Sequence, residues 1–348
     1  MKRIFLLILA AMFCTAPVLK VNALDTSARS AVLIDAASGT VMYEKNAHER
    51  LPMASTTKIM TALVALEYAD KNAVVTVPAE AVGVEGSSVC LKAGESMTLE
   101  ELLYAVMLES ANDAAAAVAY IVGGSIEDFA LMMNEKAQSL GLTDTSFANP
   151  HGLDAENHYT TAHDLARIAA EAMKNEDFRT IVSTYRYKIP MSESGYRYLM
   201  NHNKLLKMYD GALGVKTGFT KKSGRCLVSA AERDGLMLVA VTLNAPDDWR
   251  DHSAMLDYGF GNYEMNTLAT ADEYSFTLEC VGKQTTHVTV TNPKGASVCM
   301  QKGSGEIEQT VILPRFVYAP VSVGDVLGRI DFSCDGKVLD SVELVVKE

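Results

Sequence analysis

The sequence predicts an α+β fold, in which one mostly antiparallel sheet with helices against it is followed by a small all-β sandwich. Three observations carry this. β-rich runs stand at both ends of the region 24–267, and a helical middle with repeated cap signals lies between them. From residue 273 the texture changes to short alternating runs separated by turns. With 348 residues, 49% of them hydrophobic, the chain is long and apolar enough for a large core and roughly two domains.

Residues 1–23 read as a secretory signal. Lys2 and Arg3 form a basic start, Ile4 to Phe13 an apolar stretch too short to span a bilayer, and Val21-Asn22-Ala23 a small-residue cleavage site. Cys14 follows Phe13, where a lipoprotein signal needs a small residue. The working protein is therefore expected outside the cytoplasmic membrane. Ala31–Asp35 and Thr40–Glu44 flank Ala36-Ala37-Ser38-Gly39 and predict a hairpin. From Ser55 the spacing of Ile59, Leu63, Leu66 and Tyr68 is helical. Thr98 with Glu101, Ser125 with Asp128, and Thr161 with Asp164 each place a cap acceptor three residues before an acid. The small apolar run Asn112–Ala119 suits a helix at the centre of a domain.

Cys226–Ala231 and Leu236–Leu243 around Asp234-Gly235 predict a second hairpin. Leu256–Phe260 reads as the last helix, ending at Gly259, before a break near 267–272. Phe276–Leu278, His287–Val290 and Val342–Val345 alternate as strands, so residues 273–348 form the expected β-sandwich. No amphipathic helix follows the last strand-like run before Glu348. Membrane attachment at that end is therefore expected to be weak or absent.

The formal net charge of −12 and the lack of a Lys/Arg-rich run exclude nucleic acid as a partner. Beyond the signal, Cys90, Cys226, Cys280, Cys299 and Cys334 form an odd set without Cys-x-x-Cys spacing. They read as buried thiols, with a pair among Cys280, Cys299 and Cys334 left open. The seven histidines show no metal-ligand spacing, so neither a metal nor a cofactor is expected.

Three short motifs carry the chemistry: Ser55-Thr56-Thr57-Lys58, Ser110-Ala111-Asn112 and Lys216-Thr217-Gly218. Each alone is common. In this order they supply the parts of an acyl-transfer site. If Ser55 and Lys58 begin one helix, their β-carbons lie roughly 5–6 Å apart on one face. Ser55 is then the nucleophile. Lys58 is its base, provided that burial and a neighbouring cation such as Lys216 lower its pKa. Ser110 can relay a proton to the leaving amine, and Asn112 can hold a substrate amide. Lys216 and Thr217 on an edge strand can bind a terminal carboxylate, and Gly218 lets substrate lie close to that strand. The Ser55 and Phe219 amides can serve a developing oxyanion. His151, in Pro-His-Gly, reads as a structural turn.

Together with Asn149–Asp154, Asn201–Leu206, Lys216–Thr220 and Gly324–Gly328, these motifs resemble the serine D-alanyl-D-alanine carboxypeptidases, the low-molecular-mass penicillin-binding proteins. The resemblance covers residues 28–345. It implies a serine β-lactamase/penicillin-binding-protein-like catalytic domain (24–267) and an appended β-domain (273–348). Ser55 would be the acylated nucleophile, Lys58 the proton acceptor, Ser110 and Asn112 the second motif, and Lys216 the carboxylate residue. The implied reaction removes the terminal D-Ala from the pentapeptide stem of peptidoglycan, with β-lactam antibiotics as covalent inhibitors. A D,D-endopeptidase shares every motif. A class A-like β-lactamase needs a glutamate loop for which only Glu156 and Glu171 offer candidates, and a wall-binding protein with a dead site predicts that Ser55 is dispensable.

Overall fold

The protein is described by a computed structural model that covers residues 24–191, 195–282 and 287–347. The expected signal, residues 1–23, lies outside the described residues. The chain opens with the predicted hairpin, β1 (Ser30–Asp35) and β2 (Val41–Lys45). A 3-10 turn, Ala54–Thr57, leads into α1 (Lys58–Tyr68). The ribbon β3 (Val74–Thr76) and β4 (Ser96–Thr98) precedes α2 (Leu99–Leu108), α3 (Asn112–Gly123) and α4 (Ile126–Ser139). Then come α5 (Ala162–Ala172) and α6 (Glu176–Ser183), followed by the hairpin β5 (Arg186–Pro190) and β6 (Tyr196–Met200). The short α7 (Leu205–Met208) leads to β7 (Ala212–Thr220), β8 (Gly224–Arg233), β9 (Leu236–Leu243) and α8 (Asp248–Asn262).

All three predicted caps are present. Thr98 and Glu101 form a reciprocal capping box, while Ser125 and Thr161 accept the amides of Asp128 and Asp164. The main sheet is antiparallel with strand order β2-β1-β9-β8-β7, so β7 is an edge. β1 and β9 are buried on both faces, which is why they read as continuous apolar runs. Val32, Ile34, Val239 and Val241 point into the helical body, while Leu33, Leu238 and Ala240 pack on Met255 and Leu256 of α8. At the centre of that body, Asn112–Ala119 of α3 is buried throughout.

Gly259 does not end the last helix, which runs on to Asn262. A side chain at Gly259 would collide with Leu238, so the glycine serves close packing of α8 on the sheet. The helix passes directly into β10 (Tyr263–Ala269), which pairs with β13 (Ala296–Gln301). Residues 263–267, grouped by sequence with the first unit, therefore hydrogen-bond to a strand of the second. The remaining strands are β11 (Ser275–Val281), β12 (His287–Thr291), β14 (Glu308–Ile312), β15 (Phe316–Tyr318), β16 (Val326–Cys334) and β17 (Lys337–Val346). They form one sheet in the order β14-β16-β17-β12-β11-β15. The β10–β13 ribbon packs Leu268 and Ala269 onto its Leu278, Val290, Ile330, Phe332 and Leu344. The five cysteines are free. Cys226, Cys280 and Cys334 are buried and Cys299 is half-buried, but Cys90 is exposed, against the expectation of a buried thiol.

Phe332 is fully buried in that second core. Phe332→Ala is expected to cost about 3–5 kcal/mol of the stability of the β-unit. Denaturant unfolding followed by hydrogen exchange in β16 and β17 checks this; a loss below ~1 kcal/mol would show that the ribbon and sheet do not share a core.

Candidate active site

Ser55 sits within the Ala54–Thr57 turn rather than in α1, and Lys58 is the first residue of the α-helix. The turn is fixed by its own threonines. The Thr56 hydroxyl donates to the Met53 carbonyl (2.6 Å) and the Thr57 hydroxyl to the Ala54 carbonyl (2.8 Å). His158 Nδ1 accepts the Ala148 amide, so its Nε2 carries the proton and donates to Thr57 Oγ1 (2.8 Å). Burial holds His158 neutral, with its pKa pushed down to about 4.

Two glycines press on the turn from opposite chain segments. Gly152, at φ +89°, lies against the Ala54 carbonyl where any side chain would collide. At Gly218 a side-chain carbon would stand 3.0 Å from the Ser55 nitrogen. Gly218 thus makes room for the backbone of Ser55, in addition to any room that it leaves for a substrate. Ala54 (φ 48°) and Ser110 (φ 60°) both occupy the left-handed region, a strained conformation held by the surrounding structure.

Lys58 is fully buried. Its Nζ lies 3.2 Å from Ser55 Oγ and 2.7 Å from Asn112 Oδ1, and donates to the His151 carbonyl. Thr61 ties the neighbouring Pro150 carbonyl to α1 (2.6 Å). Burial first, and then the charge of Lys216, hold the Lys58 pKa well below its usual 10.5; Asp113 pulls the other way. Lys216 itself is buried, and burial takes its pKa down to about 7 against the pull of Glu109.

Beside Ser55 opens a cleft of about 360 Å³. Ser55, Ser110, Thr217, Gly218 and Phe219 line it, as the motifs require. Asn112 and Lys216 do not. The Asn112 amide has both atoms engaged, Oδ1 by Lys58 and Nδ2 by the Glu85 carbonyl, so in this structure it orients the lysine rather than facing a substrate. Lys216 donates to the Thr217 carbonyl (3.0 Å) from inside the domain. The His151 ring accepts the Leu153 amide within its turn, in keeping with the structural role. Glu156 and Glu171 are not on the cleft wall.

Several contributors carry no motif. The carbonyls of Glu85 and His151 are backbone groups. Asp113 clamps the 85–92 loop through Ser88 Oγ (2.6 Å) and the amides of Val89 and Leu91. Its one visible signal is an acid opening an otherwise apolar alanine run. Arg225, Asp248, Trp249, Ser87 and His202 complete the cleft wall. Among the described residues no group of His, Cys, Asp or Glu could hold a metal ion.

Gly152→Ala is expected to displace Ser55 and cut acylation by a fluorescent penicillin about 100-fold. Stopped-flow labelling measures this, and an unchanged rate would mean that the 149–153 turn does not seat the nucleophile.

The fold and site have clear relatives. The family described as D-alanyl-D-alanine carboxypeptidase matches residues 17–247, and the C-terminal domain of penicillin-binding protein 5 matches residues 263–348. The D-alanyl-D-alanine carboxypeptidase DacF of Bacillus subtilis is 34% identical over 339 residues, covering 94% of this chain and 87% of DacF. DacC of Escherichia coli is 33% identical, covering 94% of this chain and 85% of its own. Penicillin-binding protein 5 of Haemophilus influenzae superposes with a TM-score of 0.76 at 27% identity, over 92% of this chain and 97% of that one. A serine and a buried lysine on one turn, beside a Lys-Thr-Gly edge strand and ahead of an appended β-domain, thus place this chain among the serine D-alanyl-D-alanine carboxypeptidases of the low-molecular-mass penicillin-binding protein family.

Proposed function

We propose that this carboxypeptidase trims the pentapeptide stem of peptidoglycan through a Ser55 acyl-enzyme, with Lys58 as the base. The carrying observation is the Lys58 amine, fully buried, 3.2 Å from Ser55 Oγ and facing a second buried lysine. A neutral amine has two N–H bonds and one lone pair. Asn112 Oδ1 and the His151 carbonyl take the two N–H bonds, which leaves the lone pair for the Ser55 hydroxyl proton.

Ser55 Oγ attacks the carbonyl of the penultimate D-Ala and its proton passes to Lys58 Nζ. The new C–O bond forms a tetrahedral oxyanion, for which the amides of Ser55 and Phe219 are the donors. As the C–N bond breaks, Ser110 passes the proton from Lys58 to the leaving D-Ala amine. Water then hydrolyses the ester and Ser55 regains its proton. A β-lactam ring acylates the same oxygen, with slow release. Asn112 and Lys216 contribute here by holding and depressing Lys58.

The reading extends to place and organisation. Members of the family act outside the cytoplasm, which agrees with residues 1–23 as an export signal. The catalytic unit precedes a β-unit; each has its own buried cluster, and β10 joins them, pairing with β13 while its Tyr263 and Met265 pack with the apolar cluster of α8.

Mass spectrometry of a defined pentapeptide incubated with the protein is expected to show loss of one D-Ala. Ser55→Ala is expected to abolish both this and covalent penicillin labelling; labelling that persists would remove Ser55 from its role. Lys58→Arg keeps the charge but cannot deprotonate, and should slow acylation at least about 100-fold. Because the neutral amine is the active form, acylation falls as pH drops through the depressed Lys58 pKa, so the acid limb lies well below 10.5. An acid limb near 10 in the pH profile would show that Lys58 is not the base.

A further inference from the structure

From the cleft wall to the hairpin β5–β6 runs a band of tyrosine rings and cations that the acyl-transfer chemistry does not use. The inner face of the hairpin packs on the domain. Tyr187 stacks on Tyr104 of α2 with ring centres 3.7 Å apart, and Arg197 donates to the Val89 carbonyl and to Glu95. By alternation the other face points outward, with Arg186 and Lys188 of β5 and Tyr196, Tyr198 and Met200 of β6 exposed.

These outward groups touch one another in sequence. Lys188 Nζ lies 4.6 Å from the centre of the Tyr196 ring, and Lys188 stands directly across from Tyr198. Arg186 stands across from Met200, whose sulfur accepts the Tyr185 hydroxyl at 3.4 Å. Lys207 of α7 sits 3.8 Å from the centre of that tyrosine ring. Three residues earlier, Lys204 lies 5.9 Å from the ring of Trp249, which belongs to the cleft wall. The Met200 amide donates to Glu109 (2.7 Å), the neighbour of Ser110, and His202 faces the same carboxylate at 3.3 Å. One end of the band is thus the cleft itself.

We propose that this band is a docking platform for the polymer to which the stem peptide is attached, a peptide-bearing glycan strand. The inference rests on the stem-peptide reading of the cleft. With the bond between the fourth and fifth stem residues at Ser55, the far end of the stem is at most about 14 Å away, so the polymer must pass beside the cleft. A sugar ring has a face of C–H bonds and hydroxyls around its edge, and a tyrosine matches it with an apolar ring and a polar tip. Every uncross-linked stem ends in a free carboxylate before and after the reaction, so the polymer is polyanionic. Cations gathered on one face of a chain with net charge −12 complement it. A lipid surface fits less well, because the exposed groups are hydroxyl-tipped rings and one methionine rather than a broad aliphatic face.

The test compares D-Ala release by the full chain from soluble diacetyl-Lys-D-Ala-D-Ala and from uncross-linked glycan strands carrying pentapeptide stems. Tyr198 is 76% exposed, so Tyr198→Ser removes a ring without opening the core. It should lower kcat/KM on the polymer about 10-fold, the worth of one stacked ring or one cation contact. The short peptide, which ends inside the cleft, should be cleaved as in the parent. Lys188→Glu should act in the same direction, and the parent's advantage should shrink as salt is added. Equal changes on both substrates, or none on either, would overturn the proposal. So would loss of sedimentation with phosphatidylglycerol vesicles while trimming of the polymer is unchanged, which would make the band a membrane face. A parent that releases D-Ala from neither substrate would overturn the stem-peptide reading. Sedimentation of the Ser55→Ala protein with the polymer then decides the platform alone, and binding unaffected by Tyr198→Ser and Lys188→Glu would overturn it.

Discussion

Everything in the catalytic unit turns on keeping one amine dry. An exposed lysine stays protonated at neutral pH and cannot accept a proton from a serine. Lys58 is kept from water because the first turn of α1 is sealed between the 149–153 segment, the start of α3 and the edge strand β7. Burying an uncompensated ammonium is costly, and that cost pushes Lys58 toward the neutral form that the proposed base role requires. Lys216 adds to the same pressure from the strand side. Fold and chemistry thus share one cause.

The supporting parts follow from that demand. The turn that carries Ser55 must approach both a loop and a strand within van der Waals contact, and only glycines at 152 and 218 permit it. The alanine-rich face of α3 lets the central helix sit close to α1, so that Asn112 reaches Lys58. Asp113, next in sequence, holds the loop whose Glu85 carbonyl fixes the other end of the Asn112 amide. A buried polar chain of this kind is stable only when each member is satisfied.

What was legible in the sequence is what depends on neighbours a few residues away. Each helix cap needs an acceptor and an acid three positions on, and Thr98, Ser125 and Thr161 show both. The double-sided burial of β1 and β9 is written in their unbroken apolar runs. The three motifs mark Ser55, the lysine that is buried beside it and the strand edge. Long-range partners are not written this way. Arg225 and Asp248 stand 23 residues apart, outside any motif. The acceptor from His151 is a backbone oxygen and has no letter of its own. Gly259 resembles a stop until Leu238 is placed against it, and β10 finds its partner in a strand some thirty residues on. The direction in which Lys216 and Asn112 point depends on which face of the element is interior, and this is a property of the assembled domain.

Helix α8 has one end in each unit. Asp248 and Trp249 at its start stand in the cleft wall, while its last residue runs without a linker into β10, whose Tyr263 and Met265 pack with the same apolar cluster as Leu256. Its 15 residues span about 22 Å. Such a strut leaves no slack chain on which the β-unit could swivel, so a force applied to the β-unit is delivered along a stiff rod to the floor beneath Arg225.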